Sequence, residues 1–312
     1  MYDFVSRRKW LFLLSAVLVV AGLIAVATGG LTMGIEFDSG SKLEIGLPSS
    51  VGIDDLEEAL DTLGYEEALG RILRNDDNFL ITTREISGAE KNDLIAGLRS
   101  ELNLEEDEVV EEGFRIVDPE IASETLRNAA IAVAVAAVAV LLYVSFAFRK
   151  MPSPFRYGAC AIIALLHDMF ITVGMFALLG SVFNWEVNPM FIVAMLAVIG
   201  YSVNDTIVVF DRIRENLNEG KYPDFRTTVN ASLTQTLTRS LCTSLTTILV
   251  VLSLYLFVGT EIRNFVVALL IGLIAGTYSS IFIASQLLLV WEEGEWRKRV
   301  PDLPVVRRWR TA

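Results

Sequence analysis

Six stretches of this chain are continuously apolar, without the alternation of a half-buried strand or the one-sided stripe of a surface helix. Residues 10–35, 128–148, 240–260 and 264–291 contain no Asp, Glu, Lys or Arg. Each reaches the ~20 residues that a helix needs to cross a bilayer. Two further runs, about 157–179 and 187–210, are equally apolar, but each is interrupted by one acid, Asp168 and Asp205. The pattern predicts six transmembrane helices, the second and third joined by a short loop around Pro152 and Pro154. The first run is longer than the core of a secretory signal, and Thr28-Gly29-Gly30 matches a cleavage site loosely, so it reads as a retained anchor.

Between the first two runs the pattern changes. Residues 34–123 read as strand (36–47), helix (54–63), strand (70–74), strand (78–84), helix (88–102) and strand (108–117). Leu56, Leu60 and Leu63 recur at helical spacing in the first helix, and Leu94, Leu98 and Leu102 in the second. Asp54 and Ser87 are placed as N-caps and Gly64 as a stop. A βαββαβ order of this length predicts a small ferredoxin-like α+β domain. The expected fold is therefore an α-helical polytopic membrane protein with that domain inserted between helices 1 and 2.

Charge follows the same division. The chain of 312 residues is 53% hydrophobic yet carries 38 acidic and 26 basic residues, a net of −12. Residues 34–123 hold 24 acidic and 7 basic residues, a net of −17, and the remainder is +5. A single soluble domain is excluded, and so acidic a chain is a poor partner for nucleic acid. The acidic excess reads first as a solvated surface, with capture of a cationic ligand as the sharper alternative. Cys160 and Cys242 both lie in apolar runs and His167 is the single histidine, so no disulfide framework, metal site or cofactor is expected.

Orientation comes from the basic residues at the span ends. Arg7, Arg8 and Lys9 precede the first span, and Arg149, Lys150 and Arg156 lie between the second and third. The 211–239 connection adds five and the segment after Trp291 six, whereas loops 180–186 and 261–263 add only Arg263. Both termini are expected in the cytoplasm and residues 34–123 outside the cell membrane. The expected divisions are 1–33 (N-terminus and first span), 34–123 (outer domain), 124–291 (five further spans) and 292–312 (basic tail).

Ionisable groups at membrane depth are expensive to insert, which makes them the first place to look for function. Asp205 lies in Gly200-Tyr201-Ser202-Val203-Asn204-Asp205-Thr206, whose polar side chains offer it hydrogen bonds, and Asp168 follows His167. A carboxyl that loads and releases a proton is what a proton-coupled machine requires; the plain alternative is an interhelical hydrogen bond that locks the bundle. Arg239 opens the fifth run, either as an ordinary anchor or as an ion-pair partner of Asp205. Thr236, Ser240, Thr243 and Thr247 make a hydroxyl stripe behind it, and Gly272, Gly276 and Ser280 make a small-residue ridge for close packing in the sixth span.

These motifs resemble the SecF family of protein-export membrane subunits, relatives of the resistance-nodulation-division transporters. The resemblance rests on Gly34-Ile35-Glu36-Phe37, His167-Asp168, the block Gly200 to Asn216, Thr236-Leu237-Thr238-Arg239-Ser240 with Thr243-Ser244-Leu245-Thr246-Thr247, and Gly276-Thr277-Tyr278-Ser279-Ser280. Two positions depart from the family pattern, which usually has Asp at Glu36 and Gly at Ser39. The resemblance implies pairing with SecD into a twelve-helix unit, association with the SecYEG channel, and use of the proton gradient to complete translocation of an unfolded preprotein. It also implies that Asp205 and Arg239 couple protons, with Asp168 and His167 second and Tyr201, Ser202, Asn204, Thr206, Thr243 and Thr247 in support. A proton-coupled exporter of small molecules and a non-conducting scaffold are the alternatives. An enzyme is not expected: the aspartates follow His167 and Asn204 rather than the Tyr-Asp and Gly-x-Gly-Asp of intramembrane aspartyl proteases, and neither Gly-x-Ser-Gly nor paired histidines occur.

Overall fold

The computed structural model describes residues 3–68, 72–75, 78–151, 153–183 and 185–294. Pro152 and most of the expected basic tail, from residue 295 onward, lie outside the described residues. Six helical segments are long and apolar enough to cross a membrane. They are α1 (Arg8–Gly29), α5 (Pro119–Ala147), α6 (Pro154–Phe183), α7 (Pro189–Asn218), α8 (Phe225–Phe257) and a sixth built from three consecutive pieces. Those pieces are α9 (Thr260–Ser279), a π turn over Ser280–Ala284 and α10 (Ser285–Glu292). The chain is a multi-pass membrane protein.

Several helices run further than their apolar stretches. α8 begins at Phe225, where Asp224 caps it by accepting the Thr227 N–H at 2.7 Å. Arg239 therefore sits midway along α8 and not at its start. Apolarity reports only the lipid-immersed length of a helix, and the hydroxyl-rich turns before Ser240 are helical without being greasy. Likewise α5 starts at Pro119, the favoured first position for a residue with no N–H to satisfy.

Between α1 and α5 the short helical turn α2 (Ile35–Asp38) precedes β1 (Gly40–Gly46), α3 (Ile53–Thr62), β2 (Ile72–Asn75), β3 (Asn78–Thr83), α4 (Gly88–Glu101) and β4 (Val110–Val117). The strands form one antiparallel sheet in the order β2-β3-β1-β4, with a bulge between Glu44 and Ile45 where β1 meets β4. This is the expected ferredoxin-like arrangement. Leu43, Ile45, Phe79 and Ile81 on one sheet face bury against Leu56 and Leu60 of α3 and Leu94 and Leu98 of α4. Ser87 caps α4, its Oγ accepting the Glu90 N–H while Glu90 accepts the Ser87 N–H at 2.8 Å, a reciprocal capping box. The exposed Glu90 carboxyl is consequently held below the usual glutamate range, chiefly by the Ser87 N–H and then by its hydroxyl.

Two local readings are corrected, and a third lies partly outside the described residues. The first strand begins at Gly40, not at 36, because Ile35–Asp38 turns helically and Ser39 and Gly40 leave it at φ 62° and 130°. The left-handed φ of Ser39 is the physical reason for a glycine preference at that position. The cap of α3 is Gly52, whose N–H is accepted by Asp55 at 2.8 Å, so Asp54 lies inside the helix. The described part of the second strand is Ile72–Asn75; residues 70 and 71 of the expected 70–74 strand lie outside the described residues.

The α/β domain is pinned to the helical bundle at a junction beside the α6–α7 loop. Phe37 packs with Phe176, Val187, Phe191 and Met195 where the end of α6 meets the start of α7. The Gly34 N–H donates to the Val187 carbonyl at 2.9 Å and the Val187 N–H to the Thr32 carbonyl at 2.8 Å. Lys42 on β1 makes a 2.5 Å ion pair with Glu186 in the α6–α7 loop, both side chains largely buried. The loop is also held from α9, where the Asn264 amide donates to the Glu186 carbonyl at 3.4 Å.

Candidate functional site

α6, α7 and α9 meet around a buried polar centre. Asp168 of α6 is completely buried. Its Oδ2 accepts hydrogen bonds from Ser202 Oγ of α7 at 2.7 Å and Ser279 Oγ of α9 at 2.8 Å. Its Oδ1 lies 3.1 Å from His167 Nδ1. The His167 ring stacks on Tyr278 at 6.3 Å between centroids, and the Tyr278 hydroxyl donates to the Leu11 carbonyl of α1 at 2.9 Å. Four spans are thereby tied to one carboxyl and its histidine neighbour.

Small residues make this convergence sterically possible. A Cβ on Gly276 would lie 3.0 Å from Ser202 Cβ, and one on Gly272 would fall 2.2 Å from Val198 Cγ2. The Gly272, Gly276, Ser280 ridge is a packing device, as its spacing suggests. Ser280 also takes part in the polar network: its Oγ donates to the Ser202 carbonyl at 3.1 Å and accepts from Thr206 Oγ1 at 3.0 Å. The π turn that starts at Ser280 is a type of irregularity often found at functional positions.

Asp205 lies one turn further along α7, facing α8. Its Oδ1 accepts from Ser240 Oγ at 2.7 Å, while its buried Oδ2 has no hydrogen-bond partner among the described residues. An unpartnered buried acceptor costs about 1–3 kcal/mol, so a fold keeps one chiefly where it serves a purpose. Arg239 is exposed on α8, and no ion pair within 4.0 Å joins it to Asp205 among the described residues.

The predicted supporting residues separate into two groups. Ser202 and Thr206 are buried and belong to the Asp168 and Ser280 network. Tyr201 donates to Ser244 Oγ at 3.0 Å and helps pack α7 on α8. Asn204 lies on the exposed side of α7, so the neighbours of Asp205 in sequence do not bind it. Thr243 is exposed, and Thr243 and Thr247 donate back to carbonyls of their own helix. The hydroxyl face of α8 that points inward is instead Thr228, Ser232, Thr236, Ser240 and Ser244, at strict fourth-residue spacing. The sequence shows Tyr278, Ser279 and Ser240 as members of motifs; their roles as donors depend on which helix faces meet. Among the described residues no cluster of His, Cys, Asp or Glu suited to a metal ion occurs.

The comparisons with known proteins agree with this architecture. The family model described as protein export membrane protein SecD/SecF, C-terminal, matches residues 99–294. The protein translocase subunit SecF of Thermobaculum terrenum is 43% identical over 95% of this chain and 96% of its own length. That of Anaerolinea thermophila is 38% identical over the same shares. The protein translocase subunit SecDF of Bacillus subtilis is 35% identical over 95% of this chain, which corresponds to 39% of that longer protein. Among solved structures, SecDF of Thermus thermophilus, described as a translocon-associated membrane protein, superposes with a TM-score of 0.82 at 31% identity. The match covers 94% of this chain and 39% of that one.

Proposed function

The chain belongs to the SecD/SecF family of protein-export membrane proteins, and on that premise we propose that it drives a late, ATP-independent stage of protein translocation with the proton gradient. Its role in protein export follows from relatives that match it nearly end to end, and the single-chain SecDF relatives support association with a SecD-type half. In this reading both termini face the cytoplasm and residues 34–123 face outward, where the domain meets a preprotein emerging from the SecYEG channel. The chain carries out no covalent chemistry.

The observation that carries the proton reading is Asp205: a buried carboxyl with one oxygen bonded to Ser240 and the other unpartnered. A proton arriving at the unpartnered oxygen neutralises the carboxyl and releases its attraction for Arg239. α7 then changes its preferred position against α8, biasing a two-state bundle. Both helices that carry the buried acids end in the loop that grips Lys42 and Gly34, so a shift of α7 against α6 is delivered to the outer domain.

The test is Asp205→Asn in the chain assembled with its SecD-type partner, assayed for gradient-dependent export into sealed vesicles. Loss of gradient stimulation with assembly intact is expected; wild-type stimulation would leave the scaffold reading. Arg239→Lys separates charge from shape. Export survives if a positive charge suffices and falls if the planar fork of arginine is required.

A further inference from the structure

At the end of α5 the chain turns back against α7 and leaves a cleft of about 480 Å³ lined by Phe146, Arg149, Lys150, Arg214 and Asn218 among others. Three cations face into it and none of the lining residues is acidic. The arginine heads are held by aromatic faces: Arg149 lies 4.1 Å from the Phe146 ring centroid and Arg214 5.7 Å from that of Phe148.

Several of the basic residues at this end of the molecule are neutralised by acids. Arg8 meets Glu293 at 3.4 Å, Arg156 meets Glu292 at 3.0 Å and Arg212 meets Glu215 at 2.5 Å. Arg214 is itself paired with Asp211. Arg149 and Lys150 have no carboxylate within 4.0 Å among the described residues. Directly above them α5 presents Leu142, Tyr143 and Phe146, each 60–65% exposed, as an apolar wall on a membrane-spanning helix. Unneutralised cations in a concavity, continuous with an apolar wall at the membrane boundary, match a ligand with an anionic head and hydrocarbon tails.

We propose that this cleft binds an anionic phospholipid. Its phosphate sits against Arg149, Lys150 and Arg214, Asn218 donates to a headgroup oxygen, and one acyl chain lies along Leu142 and Phe146. Basic pockets between transmembrane helices are a general solution for such headgroups. The bound lipid bridges α5, which faces lipid for most of its length, to α7, which carries Asp205.

The test is native mass spectrometry of the purified full chain in mixed micelles of phosphatidylglycerol and phosphatidylcholine, with inorganic phosphate alone as a separate arm. Wild type is expected to retain phosphatidylglycerol in preference to phosphatidylcholine. Each basic group at an anionic surface is worth about fivefold, so Arg149→Gln with Lys150→Gln weakens retention about thirtyfold. Arg212→Gln, which removes a cation already paired, leaves it unchanged. Equal retention of the two lipids, or undiminished retention by the double variant, overturns the proposal. So does phosphate binding that depends on the same two cations without lipid retention. Thermal unfolding checks that the double variant is folded. If it is not, Lys150→Gln alone must lose retention and Lys150→Arg must restore it.

Discussion

The ion pair between Lys42 and Glu186 gives the sharpest quantitative test of how the α/β domain is fastened. Their side chains are 14% and 9% exposed, so each charge has lost most of its water and relies on the other. Removing one partner of such a pair typically costs 3–5 kcal/mol, because the survivor is left buried and alone; the residual exposure here argues for the lower end, about 3 kcal/mol. Replacing both with apolar side chains removes the problem along with the attraction and should come out nearly neutral. The Gly34 and Val187 amides, which donate across the same junction, report its opening. If the pair governs that opening, Lys42→Met or Glu186→Leu alone speeds hydrogen exchange at these two amides about a hundredfold, while the double variant returns toward wild type. Exchange within the α3 and α4 core should be unaffected in all three. Single variants within threefold of wild type would refute the argument. A double variant equal to the product of the two singles would also refute it, by showing that the two charges do not depend on one another.

Ser39 holds φ 62°, a left-handed value strained for a side chain, so Ser39→Gly should stabilise the α/β domain by up to about 1 kcal/mol in chemical denaturation. A Cβ on Gly174 would lie 2.4 Å from Gly22 Cα, backbone against backbone. Gly174→Ala should therefore push α1 from α6 and lower stability by about 1–3 kcal/mol in a detergent melt. Gly200→Ala, where nothing lies within 4 Å, should be neutral or mildly stabilising. Because the Glu90 carboxyl is held below the ordinary 4.5, its contribution to the α4 cap is complete above that pH and is lost as acid is added below it. A carboxyl chemical-shift titration should give a midpoint under 4.5 that moves back up in Ser87→Ala.

The spans and the α/β order were legible because each rests on one-dimensional regularity: continuous apolar runs, leucines at helical spacing, a serine just ahead of them. Ser87 could be read as a cap, since its structural partner Glu90 lies within one turn. The wiring of the buried acids was not legible. Asn204 adjoins Asp205 in sequence yet points outward, whereas its donor, Ser240, comes from another helix. Thr243 and Ser244 are neighbours of the same polarity, and only the angle at which α8 meets α7 decides that Ser244 is the buried one. The Lys42–Glu186 junction joins two charges 144 positions apart in the chain, and no local pattern announces it.

The π turn in the sixth span carries one residue more than an α-helical turn would hold, which makes it a dislocation in an otherwise regular rod. Healing it would rotate everything beyond by about 100° and shift it by about 1.5 Å. Glu292 and Glu293 would swing away from Arg156 and Arg8, the two contacts that fix this end against α6 and α1. Gln286, fully buried with both amide atoms unpartnered among the described residues, would leave its present place. The register of this last segment is thus held by clamps at its two ends, the Ser280 hydroxyl inside the bundle and the ion pairs at the rim, against an amide with reason to move.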